Sequence, residues 1–197
     1  MEKPAPAEHD LHPLIRQRFS PRAFSGRPVP DEILRSLLEA ARWAPSCLNE
    51  QPWRFIVAHH SDTQAFDDLL SCLNEHNQVW AKEAPLLLLA VAARQFVQTG
   101  KPNRHALHDV GLAVAQLILQ ATDLGLGVHQ MAGFSMDRAV EVYDIPEDFE
   151  PVSAIAVGYP GDPDQLPVDL RERELAPRTR KPQSEFVFQT TFGQPLS

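Results

Sequence analysis

Between residues 104 and 124, Leu107, Val110, Gly111, Val114, Leu117, Ile118, Ala121 and Leu124 form one apolar stripe at helical spacing. At roughly 3.6 residues per turn the stripe continues for almost six turns before Gly125 stops it. A helix this long with so wide an apolar face is unstable on an open surface. It predicts a central helix, buried on a broad face, around which the other elements must pack.

Neighbouring segments supply those elements. Residues 11–19 are predicted as a short helix ending before Pro21. Residues 31–43 are a clearer one: Ile33, Leu34, Leu37, Leu38 and Ala41 keep helical phase, Asp31 and Glu32 suit the N-terminal end of the dipole, and Pro45 follows the stop. Residues 62–73 are also expected to be helical, and Ser135 to cap a helix reaching about Tyr143. Strands are expected at 55–58, 128–131 and 152–157. Residues 86–92 read as a buried strand by length and composition, although periodicity alone also admits a helix. Strands separated by helices make an α+β or α/β domain.

The two ends differ from this body. Residues 1–13 read as a flexible lead, 14–161 as the folded domain and 162–197 as a C-terminal arm. Pro160, Pro163, Pro167, Pro177 and Pro182 predict an extended arm rather than a packed one. The sequence SEFVF at 184–188 then returns to strand-forming residues. It is a candidate for pairing with another subunit's sheet, and folding back onto its own chain fits the sequence equally well.

Several function classes lose support. The formal net charge is −8, whereas a general nucleic-acid binder is normally basic. The two cysteines, Cys47 and Cys72, form no CxxC pair, so neither a disulfide framework nor a zinc signature is present. The longest apolar run, 85–93, is about half of the roughly 20 residues a membrane helix needs. The opening MEKPAPAEHD holds no apolar signal region, so a reducing, cytoplasmic setting is expected. No G-x-G-x-x-G, P-loop, G-x-S-x-G or H-E-x-x-H motif occurs. No metal ligand, nucleophile, catalytic acid or catalytic base is therefore nominated.

The charge is unevenly spread. Arg16, Arg18, Arg22 and Arg27 gather near one end, and Arg178, Arg180 and Lys181 near the other. In RFSPRAF, at 18–24, Arg18, Ser20 and Arg22 alternate, so extended backbone would turn two guanidinium groups and a hydroxyl to one face. Forked, charge-assisted donors of this kind suit a phosphate, while a surface turn of solvated arginines explains the same residues. The loop PSCLNEQPW, at 45–53, joins a helix to a strand and collects Ser46, Asn49, Gln51 and Trp53. Its amides can donate and accept, as a flavin edge requires, and a rigid turn with Trp53 in the core is compatible with the same residues.

Together, RFSPRAF, the PVP-then-helix lead at 28–43, APSCLNEQPW, GLGVHQMAGF at 125–134, VGYP at 157–160 and RTRKP at 178–182 resemble the nitroreductase family of FMN-dependent reductases. The order and spacing carry the match, which extends from about Leu14 to Phe188. The resemblance implies an α+β fold with a central mixed sheet flanked by helices, and a homodimer holding FMN at its interface. It implies that Arg18, Ser20 and Arg22 contact the phosphate, that Phe19 contributes backbone, and that Arg178 and Arg180 return to the same group. Pro45, Ser46, Cys47 and Asn49 match the loop that approaches the flavin from the other subunit; a serine often stands where this chain has Cys47, which leaves backbone contact there. Asn77 lies near a polar contact to the ring edge, and Gln130, Met131, Ala132 and Gly133 match the stretch along the isoalloxazine ring, where some members carry an acidic residue in place of Ala132. The implied activity passes hydride from NADH or NADPH, through FMN, to a nitroaromatic, quinone or other electron-poor acceptor in ping-pong order. The same scaffold also serves dehalogenation, flavin breakdown and enone reduction, and a non-catalytic flavin carrier or sensor is a further alternative.

Overall fold

The run LLLLAVAA forms strand β2 (Leu86–Ala93), and every residue of it is buried. Successive side chains of a strand point to opposite faces, so burial of all eight requires cover on both sides. Leu86, Leu88, Ala90 and Ala92 enter one core, and Leu87, Leu89 and Val91 enter another. The first core is completed by helices α2 (Asp31–Arg42) and α5 (Ala106–Asp123), the second by α3 (Thr63–Cys72), α4 (Glu75–Ala81) and α6 (Met136–Tyr143). The computed structural model describes residues 2–196, and its three layers are helix, sheet, helix.

Three more strands complete the sheet: β1 (Trp53–His59), β3 (Gly127–Met131) and β4 (Phe149–Gly158), in the order β1-β2-β4-β3. The α+β class agrees with the expectation, but the mixed sheet does not appear within one chain, because every pairing is antiparallel. The reason is topological. The connection β2–α5–β3 joins two strands of like direction, but β4 inserts between them and runs against both.

Helix α5 carries the predicted stripe with one change of phase. Val110, Ala113, Val114, Leu117 and Ala121 are buried, but Leu107 is 49% exposed and Gly111 faces outward. The helix is therefore central on one face and bare on another. The arm also departs from expectation. Val168–Leu175 is helix α7, docked through Leu170 and Glu174, so the proline-rich stretch is not extended throughout. Proline suits the position just before this helix, where Pro167 stands. SEFVF forms a 3-10 turn at Gln183–Glu185, and Phe188 bridges to Pro195 instead of joining the sheet. The lead is tied down: Ala5 N–H donates to the Arg16 carbonyl at 2.8 Å, and the Lys3 ammonium donates to the Glu174 carbonyl. A short helix α1 (Pro13–Gln17) follows it.

Candidate functional site

The RFSPRAF segment is held against the ends of two strands. Ser25 N–H donates to the Tyr159 carbonyl at 2.9 Å, Phe24 bridges to Pro160, and His129 Nδ1 donates to the Pro21 carbonyl at 3.0 Å. Gly127 opens β3 without a side chain because a Cβ there would overlap the Pro21 ring. Burial lowers the pKa of His129 to about 4 despite the bond to Pro21, and the charge of Arg22 adds to the lowering. The imidazole is thus neutral, with its proton on the nitrogen facing Pro21.

From this segment Arg18 reaches the two late arginines. Its guanidinium donates to Ser20 Oγ at 3.2 Å. Burial, then the charges of Arg178 and Arg180, pull the pKa of Arg18 below the ordinary guanidinium value, and burial and Arg180 do the same to Arg178. Arg178 is anchored through the carbonyls of Lys3 at 2.7 Å and Arg16 at 3.1 Å. Among the described residues, no ion pair includes Arg18, Arg178 or Arg180. The three line a cavity of about 370 Å³, whose walls also carry Lys181, Phe186 and one carboxylate, Glu8. Three cations around a concavity lined by one acid make its potential positive, which suits an anion with more than one charge. Phe19 lies beside this group, on a smaller hollow shared with Arg18 and Gly127.

Arg22 does not join them. Its backbone N–H donates to both carboxylate oxygens of Glu174 at 3.1 Å, and its guanidinium lies 3.7 Å from the same group. The sequence alternation of Arg18, Ser20 and Arg22 is real, but a buried acid on α7 claims the third member.

A second group forms at the far end of β3. Asn74 caps α4, accepting from Asn77 N–H at 2.9 Å, and the Asn77 side-chain amide donates to the Gly133 carbonyl at 3.0 Å. A Cβ on Gly133 would lie within 2.5 Å of the Asn74 amide and 2.7 Å from that of Asn77, so a side chain there would displace these amides from their present positions. Met131 is buried, Gln130 Oε1 accepts from Ser153 Oγ at 3.4 Å, and Ala132 is exposed. Asn77 and the 130–133 stretch, far apart in sequence, thus form one polar turn.

The 45–51 loop is a third group. Cys47 N–H donates to Asp109 Oδ2 at 2.9 Å, and Ser46 Oγ accepts from Gln51 N–H at 3.0 Å. Leu48, Asn49 and Gln51 all have positive φ, at 54°, 58° and 52°. Left-handed backbone outside glycine is uncommon, and a run of it concentrates where structure is shaped for a task. Pro45 and Asn49 are exposed, Ser46 and Cys47 half-buried. None of these four lines the Arg18 cavity of the same chain.

Sequence reasoning missed Glu174, His129 and Asp109. Glu174 stands in the charged run RERE and gives no local signal. Asp109 did give one, because it shares the helical phase of Ala106, Val110 and Ala113, and an acid on an apolar face needs a buried donor.

The family model described as Nitroreductase family matches residues 15–159. The chain belongs to the nitroreductase family. A crystal structure described as an oxidoreductase containing FMN is 39% identical, with a TM-score of 0.91 and coverage of 96% of each chain. An NADH dehydrogenase of Thermus thermophilus is 28% identical over 188 residues, covering 78% of this chain and 88% of its own. An iodotyrosine deiodinase of Thermotoga neapolitana is 29% identical over 174 residues, covering 78% of this chain and 90% of its own. As a nitroreductase-family member the protein is an FMN-dependent oxidoreductase that uses NAD(P)H. Among the described residues no helix is long and apolar enough to cross a membrane.

Proposed function

We propose that the protein takes hydride from NADH or NADPH and passes it, in ping-pong order, to a nitroaromatic, quinone or similar electron-poor acceptor in the cytoplasm. The observation that carries this reading is the meeting of Arg18, Arg178 and Arg180, none of them in an ion pair among the described residues. It fits a phosphomonoester, whose two charges would replace the mutual repulsion of the arginines with charge-assisted bonds. In this reading Arg18, Ser20, Arg178 and Arg180 hold the FMN phosphate, with Phe19 supplying backbone, while Arg22 serves through the ion pair that fixes its segment. Asn77 and residues 130–133 border the ring. When bound, FMN supplies the two-electron chemistry, accepting hydride from the nicotinamide and delivering it to the acceptor. The chain supplies no acid or base; its work is to hold the phosphate, orient the ring and leave one face open.

Pro45, Ser46, Cys47 and Asn49 are assigned to the site of a second copy. The support is exposure: Leu48 is 84% exposed at the loop tip, Leu107 lies bare on α5, and Phe192 is 95% exposed in the arm. In this reading residues 14–161 form the core of each subunit, and 162–197 complete the phosphate site and the dimer, with 184–188 extending the partner's sheet only if the dimer replaces the bridge that Phe188 makes to Pro195 within its own chain.

The test begins with colour. Purified protein is expected to be yellow, to bleach with NADH or NADPH, and to recover on adding a quinone or nitroaromatic. Initial-rate plots should be parallel, and sedimentation should give a dimer. A flavin that nicotinamide cannot bleach would make the protein a carrier, and intersecting plots would remove the ping-pong order. Halide release from an iodinated phenol is the arm that tests dehalogenation, the reaction named in the Thermotoga relative.

A further inference from the structure

The two arginine groups that form the anion cavity are separated by 160 residues of chain, from Arg18 to Arg178. Something must set their spacing. Glu174 lies on α7, four residues before Arg178, and its side chain is only 3% exposed. Both of its oxygens accept the Arg22 backbone N–H at 3.1 Å, four residues after Arg18. Its own backbone carbonyl accepts the Lys3 ammonium, and the Lys3 carbonyl accepts from Arg178 at 2.7 Å. One residue therefore binds the early segment, the late arm and the N-terminal lead.

We propose that Glu174 is a positioning residue for phosphate binding: it joins α7 to the RFSPRAF segment and so fixes Arg178 and Arg180 against Arg18. This rests on the reading of that cavity as the FMN phosphate site. Glu174 lines neither cavity and reaches no bound group itself; its effect passes through the Arg22 backbone. A buried carboxylate is well suited to the task. Leaving it unpaired is costly, so the contact with Arg22 resists loosening in a way that an exposed pair would not. The same contact explains why Arg22 is turned from the cavity. Its guanidinium neutralises the acid that the joint requires.

The readout is the ratio of FMN to riboflavin affinity in the full chain, since riboflavin lacks only the phosphate. In Glu174→Gln one oxygen becomes an amide that cannot accept, and the charge is lost. FMN affinity should fall about tenfold while riboflavin affinity stays within about twofold. Leu37→Ala, in the core on the other face of the sheet and away from α7, should lower the melting temperature without changing the ratio. Equal loss of both flavins in Glu174→Gln, or loss of thermal stability with an unchanged ratio, would overturn the proposal. Glu174→Asp keeps the charge but withdraws it from Arg22, and serves if the glutamine variant does not fold; failure of both to fold makes Glu174 a folding residue and also overturns it. Arg18→Ala separates the two levels. If it leaves the ratio unchanged, the phosphate assignment itself fails. If it collapses the ratio and Glu174→Gln does not, only the role of Glu174 fails.

Discussion

The arginine cavity and the 45–51 loop are both unfavourable in the isolated chain, but in different currencies. Around the cavity the cost is electrostatic: burial and the charges of Arg178 and Arg180 lower the proton affinity of Arg18, burial and Arg180 lower that of Arg178, and among the described residues no ion pair includes any of the three. In the loop the cost is conformational: Leu48, Asn49 and Gln51 hold left-handed backbone, and Leu48 offers its side chain to solvent. A charge cost is relieved by an anion. A backbone cost is not, and persists only because surrounding contacts hold it, here the Asp109 carboxylate and Ser46 Oγ. The two regions should therefore respond to different perturbations.

Acid is expected to have the largest effect, and to act on the phosphate side. His129 falls from 6.5 to about 4 on folding, so between those values the unfolded chain binds the extra proton. The contribution of the neutral imidazole is present above pH 6.5 and is lost as the pH falls toward 4, by up to on the order of 3 kcal/mol. Denaturant midpoints measured down through this window should decline. His129→Gln, which can still donate to the Pro21 carbonyl, should flatten the slope. A slope unchanged by that substitution would assign the acid sensitivity to carboxylates elsewhere.

Arg18→Ala tests the electrostatic cost directly. It should weaken FMN binding by about 1.5–3 kcal/mol, tenfold or more, by removing a charge-assisted bond. The flavin-free protein should lose no stability, because the substitution also removes one of three repelling cations. Fluorescence titration with FMN and thermal melts of the stripped protein measure the two halves. A variant that loses stability without FMN would show that Arg18 is structural.

Asp109→Asn is the counterpart for the loop. The bond from Cys47 N–H changes from a charged to a neutral acceptor, a loss of about 1–2 kcal/mol. For a chain of this size that lowers the melting temperature by roughly 2–8 °C. The ratio of FMN to riboflavin affinity should not move, because the loop does not border the arginine cavity of its own chain. A change in that ratio would join the regions that the structure keeps apart.

How much of this was legible in sequence followed from how local each signal is. The run at 86–93 and the helix at 106–123 were readable because burial writes a period into the residues that carry it. Helix α4 was not, since seven residues, EHNQVWA, are too few to show a period, and its start depends on Asn74 capping against Asn77. The antiparallel sheet was not either, because β4 is inserted by topology and no residue in it declares its neighbours. Within the site, Arg18 and the late arginines stood out by charge density, while Arg22 looked identical to Arg18 from the sequence. Only the tertiary partner, Glu174 at a separation of 152 residues, distinguishes them.

The smallest expected effect lies at Leu48. A β-carbon in left-handed backbone is strained, and asparagine tolerates that region better than leucine, so Leu48 rather than Asn49 carries most of the loop's strain. Leu48→Gly removes the clash but gives the unfolded chain more freedom, which offsets part of the gain. The net should be a stabilisation of about 0.5–1 kcal/mol in the isolated subunit, seen as a rise of a few degrees in a melt of dilute protein. The same substitution deletes a side chain that is 84% exposed and that the proposed dimer would cover. At concentrations where the dimer forms, the gain should shrink or reverse, so the sign of the shift with concentration distinguishes a strained loop that meets a partner from one that is merely strained.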